Sequence, residues 1–563
     1  MCRSCRQRKR RCDKGLPACG LCRRMGRVCE YQLDNVDPAP SATAAEIEAL
    51  RNRLDRMERR LASGPTTTNT TTPSSDNGSL SSWPLSTSAA PSVSAHQFDL
   101  QNDPSVPTTA LFLDLDVFVW ARCSLPPPNI SAVPIPTDIL TVLTQGGSVV
   151  DASNNYFSTV HRWLPFISRR RMDLGFSIRE AGPELAMLFF SMKLITTKIE
   201  DDASTDTGAH YLSAKGFLDT LQLNNAVSLI CLQSMILVAL YEFSHAVYPA
   251  AWMTLGACAR YAEILGLSCS EAKTSPLNPP MSWTEAEERR RAWWVIFVLD
   301  RLLSAGGRRS FLLPDPPSEG RLPGNDEAWE SGDVREAVGF PVSTDKHVPQ
   351  YNFARLCQSA IYIGRCVDCA RTQRSGSRSS TFIDEVSSLI EELNDFAGLL
   401  DSATEGPGKG PFTNPLAPSF LARSSLFILL DVLTCPEKVS SDAGYAVSPR
   451  AKSDDELALQ HRAMTLVQTV SQDICEMSHS ILARGDTGAL SVVSPDPRVT
   501  EEFCPFILDA IYAAAVTYRW LQREGATSNF LCQRNIDTLE AVLELIGSRW
   551  RLGKAYSGML SLY

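Results

Sequence analysis

Residues 1–31 read MCRSCRQRKRRCDKGLPACGLCRRMGRVCEY, and this stretch decides how the amino terminus folds. It contains six cysteines, ten basic side chains and two acidic ones but few large apolar residues, so a hydrophobic core cannot hold it together. The cysteines form a duplicated C-x2-C-x6-C unit whose second copy follows the first by 17 positions. Thiolate pairs at this spacing are typical of structural zinc sites, in which metal binding supplies the free energy of folding.

The cysteine count indicates two zinc ions that share ligands. Two tetrahedral zinc ions need eight ligand positions, and six thiolates fill them when one sulfur from each half bridges both metals. Symmetry favours Cys2 and Cys19 as the bridging pair. A single four-cysteine finger of the nuclear-receptor type would leave two equivalent cysteines unused, and a disulfide framework would need an oxidising compartment. The predicted ligands of two Zn²⁺ per monomer are Cys2, Cys5, Cys12, Cys19, Cys22 and Cys29.

Charge is distributed unevenly along the chain. Residues 1–31 carry a net charge of +8 and the whole chain carries −9, so the remaining residues carry −17. This predicts one short segment that binds a polyanion and an acidic body that does not bind nucleic acid in general. The amino terminus has no apolar signal sequence, and the longest uncharged run, residues 220–241, is interrupted by amide side chains. We therefore expect a reducing compartment, a buried core helix at that run, and no membrane partner.

The full pattern C-x2-C-R-x-R-K-x-x-C-x4-P-x-C-x2-C-x6-C resembles the fungal zinc binuclear cluster transcription factors. The resemblance implies a nuclear protein that binds double-stranded DNA by placing a basic helix in the major groove. It also implies that Lys9 reads a CGG-type triplet with Arg8 beside it. Members usually have residues ahead of the first cysteine, whereas here Met1 directly precedes Cys2. The remaining basic candidates would contact phosphates or support Lys9 and Arg8. They are Arg3, Arg6, Arg10 and Arg11.

The basic side chains themselves support this orientation on DNA. Five of the six residues between Cys5 and Cys12 are basic, against three in the equivalent stretch of the second half. Guanine presents two acceptors in the major groove, which match lysine and arginine donors, whereas a phosphate contact fixes position without reading sequence. The first half is therefore predicted to face DNA and the second half to act mainly as a scaffold.

A linker and a short coiled coil follow the cysteine module. Residues 32–43 contain two prolines and predict an extended linker, whereas residues 44–62 predict a helix. In a parallel homodimer this helix would pair Glu46 with Arg51 and Arg53 with Glu58 across the interface. The alternative is an amphipathic helix packed on the body. The seam residues predicted for dimerisation are Ile47, Leu50, Leu54, Met57 and Leu61.

Beyond the coiled coil, residues 63–110 are rich in Ser, Thr and Pro and predict a disordered tether, and residues 111–563 predict an all-helical regulatory domain. Residues 248–267 and 289–303 resemble the middle homology domain of the same family, as do Tyr156-Phe157 and His161. The predicted fold class is a small zinc-stapled N-terminal DNA-binding module, a short coiled coil and a large all-α regulatory domain. The clearest helical periods cover residues 184–199, 226–243, 249–266, 284–304, 383–401, 454–484 and 529–550.

The family stretch at residues 289–303 predicts a central core helix. Ser282 and Glu285 form a capping box at its start. Asp300 and Arg301, near its end, are predicted to pair with each other or with neighbours for structural reasons rather than to act in catalysis. Two acidic–basic pairs four residues apart support the helix, Glu285 with Arg289 and Glu287 with Arg291.

Nothing in the body predicts an enzyme. The glycine-rich segment 406–410 has no Ser or Thr after its lysine, and the C-x2-C pair at Cys366 and Cys369 has no second pair and predicts core thiols.

The resemblance implies a transcription factor, by analogy a pathway-specific activator of a secondary-metabolite gene cluster, with coactivator or mediator-type partners and a small-molecule effector. A transcriptional repressor or an interaction scaffold with the same DNA-binding module is the alternative. Residues 97–120 interleave acidic and apolar side chains and predict either a coactivator-binding segment or, preferentially for 111–120, the first element of the body.

Overall fold

The computed structural model divides the chain into two compact units, Met1–His96 and Gln97–Tyr563. Within the described residues 77% are helical and no strand occurs, apart from an isolated antiparallel bridge between Arg321 and Pro341. The prediction of an all-α body is therefore confirmed. The structure describes residue 22 and residues 105–120, 133–145, 148–172, 178–197, 207–270, 280, 282–306, 309–333, 338–375, 381–404, 416–434, 453–485, 503–525 and 528–562.

The described part of the second unit is built from helices α1 to α18 and two short 3₁₀ helices, Val160–Arg162 and Pro505–Ile507. The α-helices are, in chain order, α1 Ser105–Leu113, α2 Leu115–Trp120, α3 Thr137–Thr144, α4 Ser148–Ser158, α5 Arg169–Met172, α6 Ile178–Thr196, α7 Thr207–Leu223, α8 Leu229–Ser244, α9 Ala250–Ile264, α10 Trp283–Ser304, α11 Asp326–Ser331, α12 Asn352–Ser375, α13 Phe382–Thr404, α14 Leu416–Thr434, α15 Asp454–Gly485, α16 Leu508–Arg523, α17 Asn529–Gly547 and α18 Arg551–Leu560.

Neighbouring helices pack in a continuous series around one hydrophobic core. Helix α6 packs between α4 and α8, and α8 packs in turn on α9. Helix α10 contacts α8, α9 and α12, and so links this first layer to a second series that runs from α12 through α14, α15, α16 and α17 to α18. Helix α18 returns to contact α8. Because every one of these helices contributes to the same buried cluster, the described body folds as a single helical bundle.

Helices α8 and α14, at the centre of the bundle, are apolar on nearly all sides. In α8 the hydroxyl of the N-cap Ser228 accepts a hydrogen bond from the backbone N–H of Cys231 at 3.1 Å, and 15 residues of the helix are buried. This confirms the predicted core helix within the long uncharged run. Among the described residues one helix, α14, is long and apolar enough to cross a membrane, with a mean hydropathy of 1.6 over its most apolar 18 residues. Of those 18 residues, 83% are buried inside the protein.

Helix α6 changes direction near its start. Gly182 has a φ of 77°, in the left-handed region that residues with a Cβ rarely adopt, and Pro183 follows it without an N–H for the helix ladder. The helix therefore consists of a short first turn and a longer buried segment, and the longer segment agrees with the predicted period beginning at residue 184.

The first described helices begin earlier than the predicted boundary of the body. Helix α1 starts at Ser105, within the last residues of the predicted tether, and α2 follows directly. Phe118 is fully buried, whereas Phe112 and Leu113 are 65% and 80% exposed. The predicted linker, coiled coil and the rest of the tether lie outside the described residues.

Candidate DNA-binding site and the core of the regulatory domain

Among the residues predicted for zinc, DNA and dimer contacts, the structure describes Cys22. It lies in a helical segment and its side chain is 2% exposed. The other predicted ligands, the basic residues and the heptad residues lie outside the described residues, namely Cys2, Cys5, Cys12, Cys19, Cys29, Lys9, Arg3, Arg6, Arg8, Arg10, Arg11, Ile47, Leu50, Leu54, Met57 and Leu61.

The donor set of the amino-terminal module fits two zinc ions. Thiolate is the ligand that structural zinc sites prefer, and six thiolates with two Zn²⁺ leave a charge of −2 that the surrounding arginines offset. When bound, the metals hold the two halves of the module together in place of a hydrophobic core. In the described part of the chain no group of three or more His, Cys, Asp or Glu residues is arranged to hold a metal ion.

In the body, the sequence motif of α10 places a fully buried arginine at the centre of the bundle. The Arg291 guanidinium donates from Nε to Glu287 at 3.0 Å, from Nη1 to Asp326 at 2.7 Å and to the Pro165 carbonyl at 2.8 Å, and from Nη2 to the Gly324 carbonyl at 2.9 Å. The network therefore joins α10 to α11 and to the segment that precedes α5, and it confirms the predicted i,i+4 pair.

Electrostatics within this network depend on all its charges being present. Burial alone lowers the pKa of Arg291, but Asp326 and Glu287 outweigh burial and the net pKa lies above its ordinary value. Burial raises the pKa of the Asp326 carboxyl, and Arg291 offsets only part of that effect. The guanidinium also lies 4.1 Å from the centre of the Trp329 ring and 5.6 Å from that of Phe353, so cation–π contacts accompany the ion pairs.

The carboxyl end of α10 carries a second buried pair. Arg301 Nη1 donates to Asp300 at 2.7 Å, while Asp300 accepts hydrogen bonds from the backbone N–H groups of Leu312 and Leu313. The Arg301 guanidinium lies between two aromatic rings, 4.1 Å and 4.0 Å from their centres. This confirms the structural role predicted for both residues, because the pair holds the following loop against the helix.

A third group of contacts joins α10 to the first layer of helices. Buried Glu288 accepts hydrogen bonds from Gln233 Nε2 at 2.8 Å and from the Ser168 backbone N–H at 3.0 Å, and it also pairs with Arg171. His161 is 1% exposed and its Nε2 lies 2.9 Å from Glu330, so this histidine has a structural role in the bundle.

The predicted helix start is also confirmed. The Ser282 hydroxyl accepts a hydrogen bond from the Glu285 backbone N–H at 3.2 Å, and the Glu285 carboxylate lies 2.6 Å from Arg289 Nη2.

The thiols of the C-x2-C pair behave as core groups, since Cys366 is fully buried and burial raises its pKa well above the usual range. These carboxylates and thiols stabilise the bundle and do not form a nucleophile with an adjacent base.

Sequence reasoning missed a cavity of about 360 Å³ at the amino-terminal end of α10. Its walls come from residues 266–270, from 280, 283, 286, 289 and 290, and from 321 and 338–339. Arg321, which lies far along the chain from the other cationic wall residues, carries no motif that would have singled it out. The one indirect signal for Arg321 is its position directly before Leu322-Pro323, the dipeptide to which the family stretch at 289–303 leads.

Two family models match the chain. The fungal Zn(2)-Cys(6) binuclear cluster domain matches residues 1–35, and the fungal specific transcription factor domain matches residues 154–409. The second match covers the helices that build the α10 networks and the cavity. The order of the two domains along the chain is the one that the sequence motifs predict.

Several curated fungal proteins are similar to the chain. Transcription factor BOA15 of Botryotinia fuckeliana is 33% identical over 184 residues, which is 32% of this chain and 98% of the relative. The citrinin biosynthesis transcriptional activator mrl3 of Monascus ruber is 28% identical over 59% of this chain and 64% of its own length. The depudecin biosynthesis cluster-specific transcription activator DEP6 of Fusarium langsethiae is 25% identical over 71% of each chain.

These matches confirm several predictions made from the residues. The amino-terminal module is a DNA-binding domain with two zinc ions, residues 154–409 of the body match the fungal specific transcription factor domain, and the protein acts in transcription rather than as an enzyme. The chain thus belongs to the fungal transcription factors that join a Zn(2)-Cys(6) binuclear cluster domain to a fungal specific transcription factor domain.

Proposed function

We propose that this protein is a nuclear, pathway-specific activator of a fungal secondary-metabolite gene cluster, and that it binds paired CGG-like half-sites as a homodimer. The observation that carries the proposal is the duplicated cysteine array with its basic run, joined to a regulatory domain whose relatives include, by name, activators of citrinin and depudecin biosynthesis. Fungal zinc cluster transcription factors are generally nuclear proteins. The pathway that this chain controls is the part of the proposal that needs a genetic test.

Sequence reading is assigned to the basic run of the first half. Lys9 is the leading base-contact residue with Arg8 beside it, because lysine and arginine donors match the N7 and O6 acceptors of guanine. The remaining arginines of the run are assigned to phosphates, which position the module and make its affinity depend on salt. The acidic remainder of the chain limits non-specific binding, since it repels the DNA backbone.

Dimerisation is assigned to the heptad helix at 44–62. Its apolar seam and its two complementary charge pairs support a parallel coiled coil. Seventeen residues lie between Cys29 and Ile47, and at full extension they span at most about 60 Å. This length permits half-sites that are many base pairs apart, so the conformation of the linker must select among spacings.

Coactivator or mediator-type contact is assigned to α1 and α2. Exposed Phe112, Leu113 and Val117 alternate there with Asp114 and Asp116. An apolar surface edged by carboxylates suits a partner groove that is apolar with a basic rim. The small-molecule effector that the family resemblance implies stays a prediction from sequence.

The proposal is tested by transcript profiling of the fungus after deletion and after overexpression of the gene. Overexpressed wild-type protein should raise transcripts of one contiguous set of biosynthetic genes, whereas a matched Lys9→Ala variant expressed at the same level should not. The promoters of that set should contain paired CGG-like sites that the purified full chain binds. Transcripts that change equally with both proteins would contradict the assignment.

The alternative, a repressor or an interaction scaffold, shares the DNA-binding module but has no activating surface. Fusing residues 63–563 to a foreign DNA-binding domain separates the two. Transcription from a reporter that carries the foreign site supports an activator, and a silent or reduced reporter at normal protein abundance supports the alternative.

A further inference from the structure

The outward face of helix α9 is apolar at its amino-terminal end. Ala251 and Leu255 are fully buried on the inner side, whereas Trp252 and Met253 are 37% and 62% exposed on the outer side. Tyr248, just before the helix, is 48% exposed, and no charged residue occurs in the first ten positions of α9. A helix face that meets only solvent normally carries polar side chains, so this face is suited to contact with another surface.

An arginine from the loop after α10 edges this face. The Arg309 guanidinium lies 5.5 Å from the centre of the Trp252 ring, a cation–π contact. Burial and Asp509 raise the pKa of the Tyr248 phenol to about 12, and the nearby Arg309 guanidinium offsets part of that rise. Arg309 is exposed and has no ion-pair partner among the described residues. We call Tyr248, Trp252, Met253 and Arg309 the α9 patch.

The composition of the α9 patch is that of an interface centre. Tryptophan, tyrosine, methionine and arginine are enriched in the cores of protein–protein interfaces, and tryptophan, tyrosine and arginine often contribute most of the binding energy. The patch also differs in charge from its surroundings, since residues 32–563 together carry −17. It therefore fits an apolar surface that carries carboxylates.

Helices α1 and α2 of the same protein offer such a surface. Phe112, Leu113 and Val117 are exposed there, and Asp116 beside them is exposed and has no ion-pair partner among the described residues. This surface and the α9 patch are exposed at the same time, so they do not cover each other within one chain. A second copy can bring them together, and two-fold symmetry then forms the contact twice.

The length of chain before α1 permits this exchange between copies. Residues 63–104, between the predicted coiled coil and α1, number 42 and extend at most about 150 Å. A compact body of the size of Gln97–Tyr563 has a radius of gyration of about 23 Å, so each body is within reach of the other. Copies joined in this way meet at an effective concentration on the order of millimolar, which populates a contact too small to form a dimer alone.

We propose that, in the homodimer, the α1–α2 surface of each copy docks on the α9 patch of the other. The exposed apolar side chains of α1 and α2 pack against Trp252 and Met253, and Asp116 pairs with Arg309. This contact rests on the homodimer of the proposed function, which supplies the second copy. A coactivator that uses the same surface has to displace it.

The test uses the purified, zinc-loaded full chain with the photoreactive residue p-benzoylphenylalanine in place of Leu113. After irradiation, a denaturing gel separates pairs of crosslinked chains from single chains, and mass spectrometry locates the crosslinked residues. We expect a two-chain product whose second site lies within residues 248–253. Analytical ultracentrifugation of the same sample reports independently whether the chain is a dimer.

Charge variants test the pairing of Asp116 with Arg309. Arg309→Glu and Asp116→Lys should each reduce the yield of the two-chain product at least about fivefold, because each change turns an attraction into a repulsion. The double variant restores opposite charges and should recover the yield. The matched control Arg462→Glu reverses an exposed arginine on α15 and should crosslink like wild type.

Two results would overturn this inference and leave the homodimer intact. One is a dimer that gives no two-chain product at residues 248–253, and the other is a double variant that gives no more product than either single variant. A chain that sediments as a monomer would instead contradict the homodimer of the proposed function and remove this contact with it. Because Arg309 and Asp116 are both exposed, these variants should keep native helicity by circular dichroism, and the comparison stays decisive.

Discussion

Replacing Arg291 with methionine tests whether the buried charge network holds the regulatory domain together. Methionine has a similar length and no charge, so the change leaves the Asp326 carboxylate buried without its cation and leaves Glu287 with Arg290 alone. Removing one partner of a buried ion pair costs about 3–5 kcal/mol, because the remaining charge keeps its desolvation penalty. The control Arg260→Met breaks a pair whose side chains are 80% and 70% exposed and should cost less than about 1 kcal/mol.

These free energies translate into a measurable shift in melting temperature. Unfolding entropy of about 2.1 cal/mol/K per residue gives about 1 kcal/mol/K for a unit of the size of Gln97–Tyr563. Thermal unfolding of the full chain, followed by circular dichroism at pH 7.5, should therefore show a loss of about 3–5 °C for Arg291→Met and about 1 °C or less for the control. Arg291→Lys keeps the charge without the planar fork and should recover part of the loss.

The pH dependence of the Arg291→Met effect gives a second readout. Burial already raises the pKa of Asp326, and loss of the guanidinium raises it further. A carboxyl whose pKa is raised by folding contributes stability at pH values below its unfolded pKa of about 3.9, and this stability is lost as the pH rises through the folded value. The variant should therefore lie closer to wild type at pH 5 than at pH 8. A melting temperature within 1 °C of the control variant, or a deficit that grows toward low pH, would refute the reasoning.

Further predictions concern the amino-terminal module and the first helices. Elemental analysis of the full chain should find two zinc ions, and Cys19→Ser should lose both because the family's fourth cysteine bridges them; a loss of one ion would contradict the bridge. Lys9→Ala should lose about 1–3 kcal/mol of discrimination between CGG and mutated sites, whereas Arg11→Ala should weaken binding to all DNA and reduce its salt dependence. Identical behaviour of the two variants in fluorescence anisotropy titrations would contradict the division of roles. Phe118→Ala should reduce soluble protein, since truncating a buried phenylalanine costs about 3–5 kcal/mol, whereas Phe112→Ala should leave abundance unchanged and reduce reporter activation; an activation level that Phe112→Ala does not change would remove this surface from coactivator binding.

Helical periodicity predicted the long amphipathic helices closely. The period at 284–304 corresponds to α10, Trp283–Ser304, and the period at 454–484 corresponds to α15, Asp454–Gly485. Both have strong start signals, an N-cap serine in one and a run of acidic residues in the other. Local signals of this kind act within one or two turns, so the sequence alone is sufficient to place them.

Four long helices lie outside the segments that periodicity singled out, namely α7, α12, α14 and α16. In α14 nearly every residue is buried, as in α8, but Pro418 and Arg423 interrupt its apolar run, which weakens the signal that identified α8. Tertiary packing decides such a helix. Arg423 illustrates this, because its partner Asp401 lies on α13, 2.7 Å away.

The sequence by itself determined the amino-terminal module and the class of the protein. Cysteine identity and spacing define a zinc ligand set without reference to distant residues, because the metal chemistry is local and leaves few alternatives. The sequence also determined that Glu287 and Arg291 pair, since residues four apart on a helix are neighbours. Only the tertiary structure decided that Asp326 and the Pro165 carbonyl complete the same network, and that Arg321 closes a cavity with Arg289. Those partners meet because the whole bundle packs around one core, and the position of a side chain in a packed bundle depends on every helix between them.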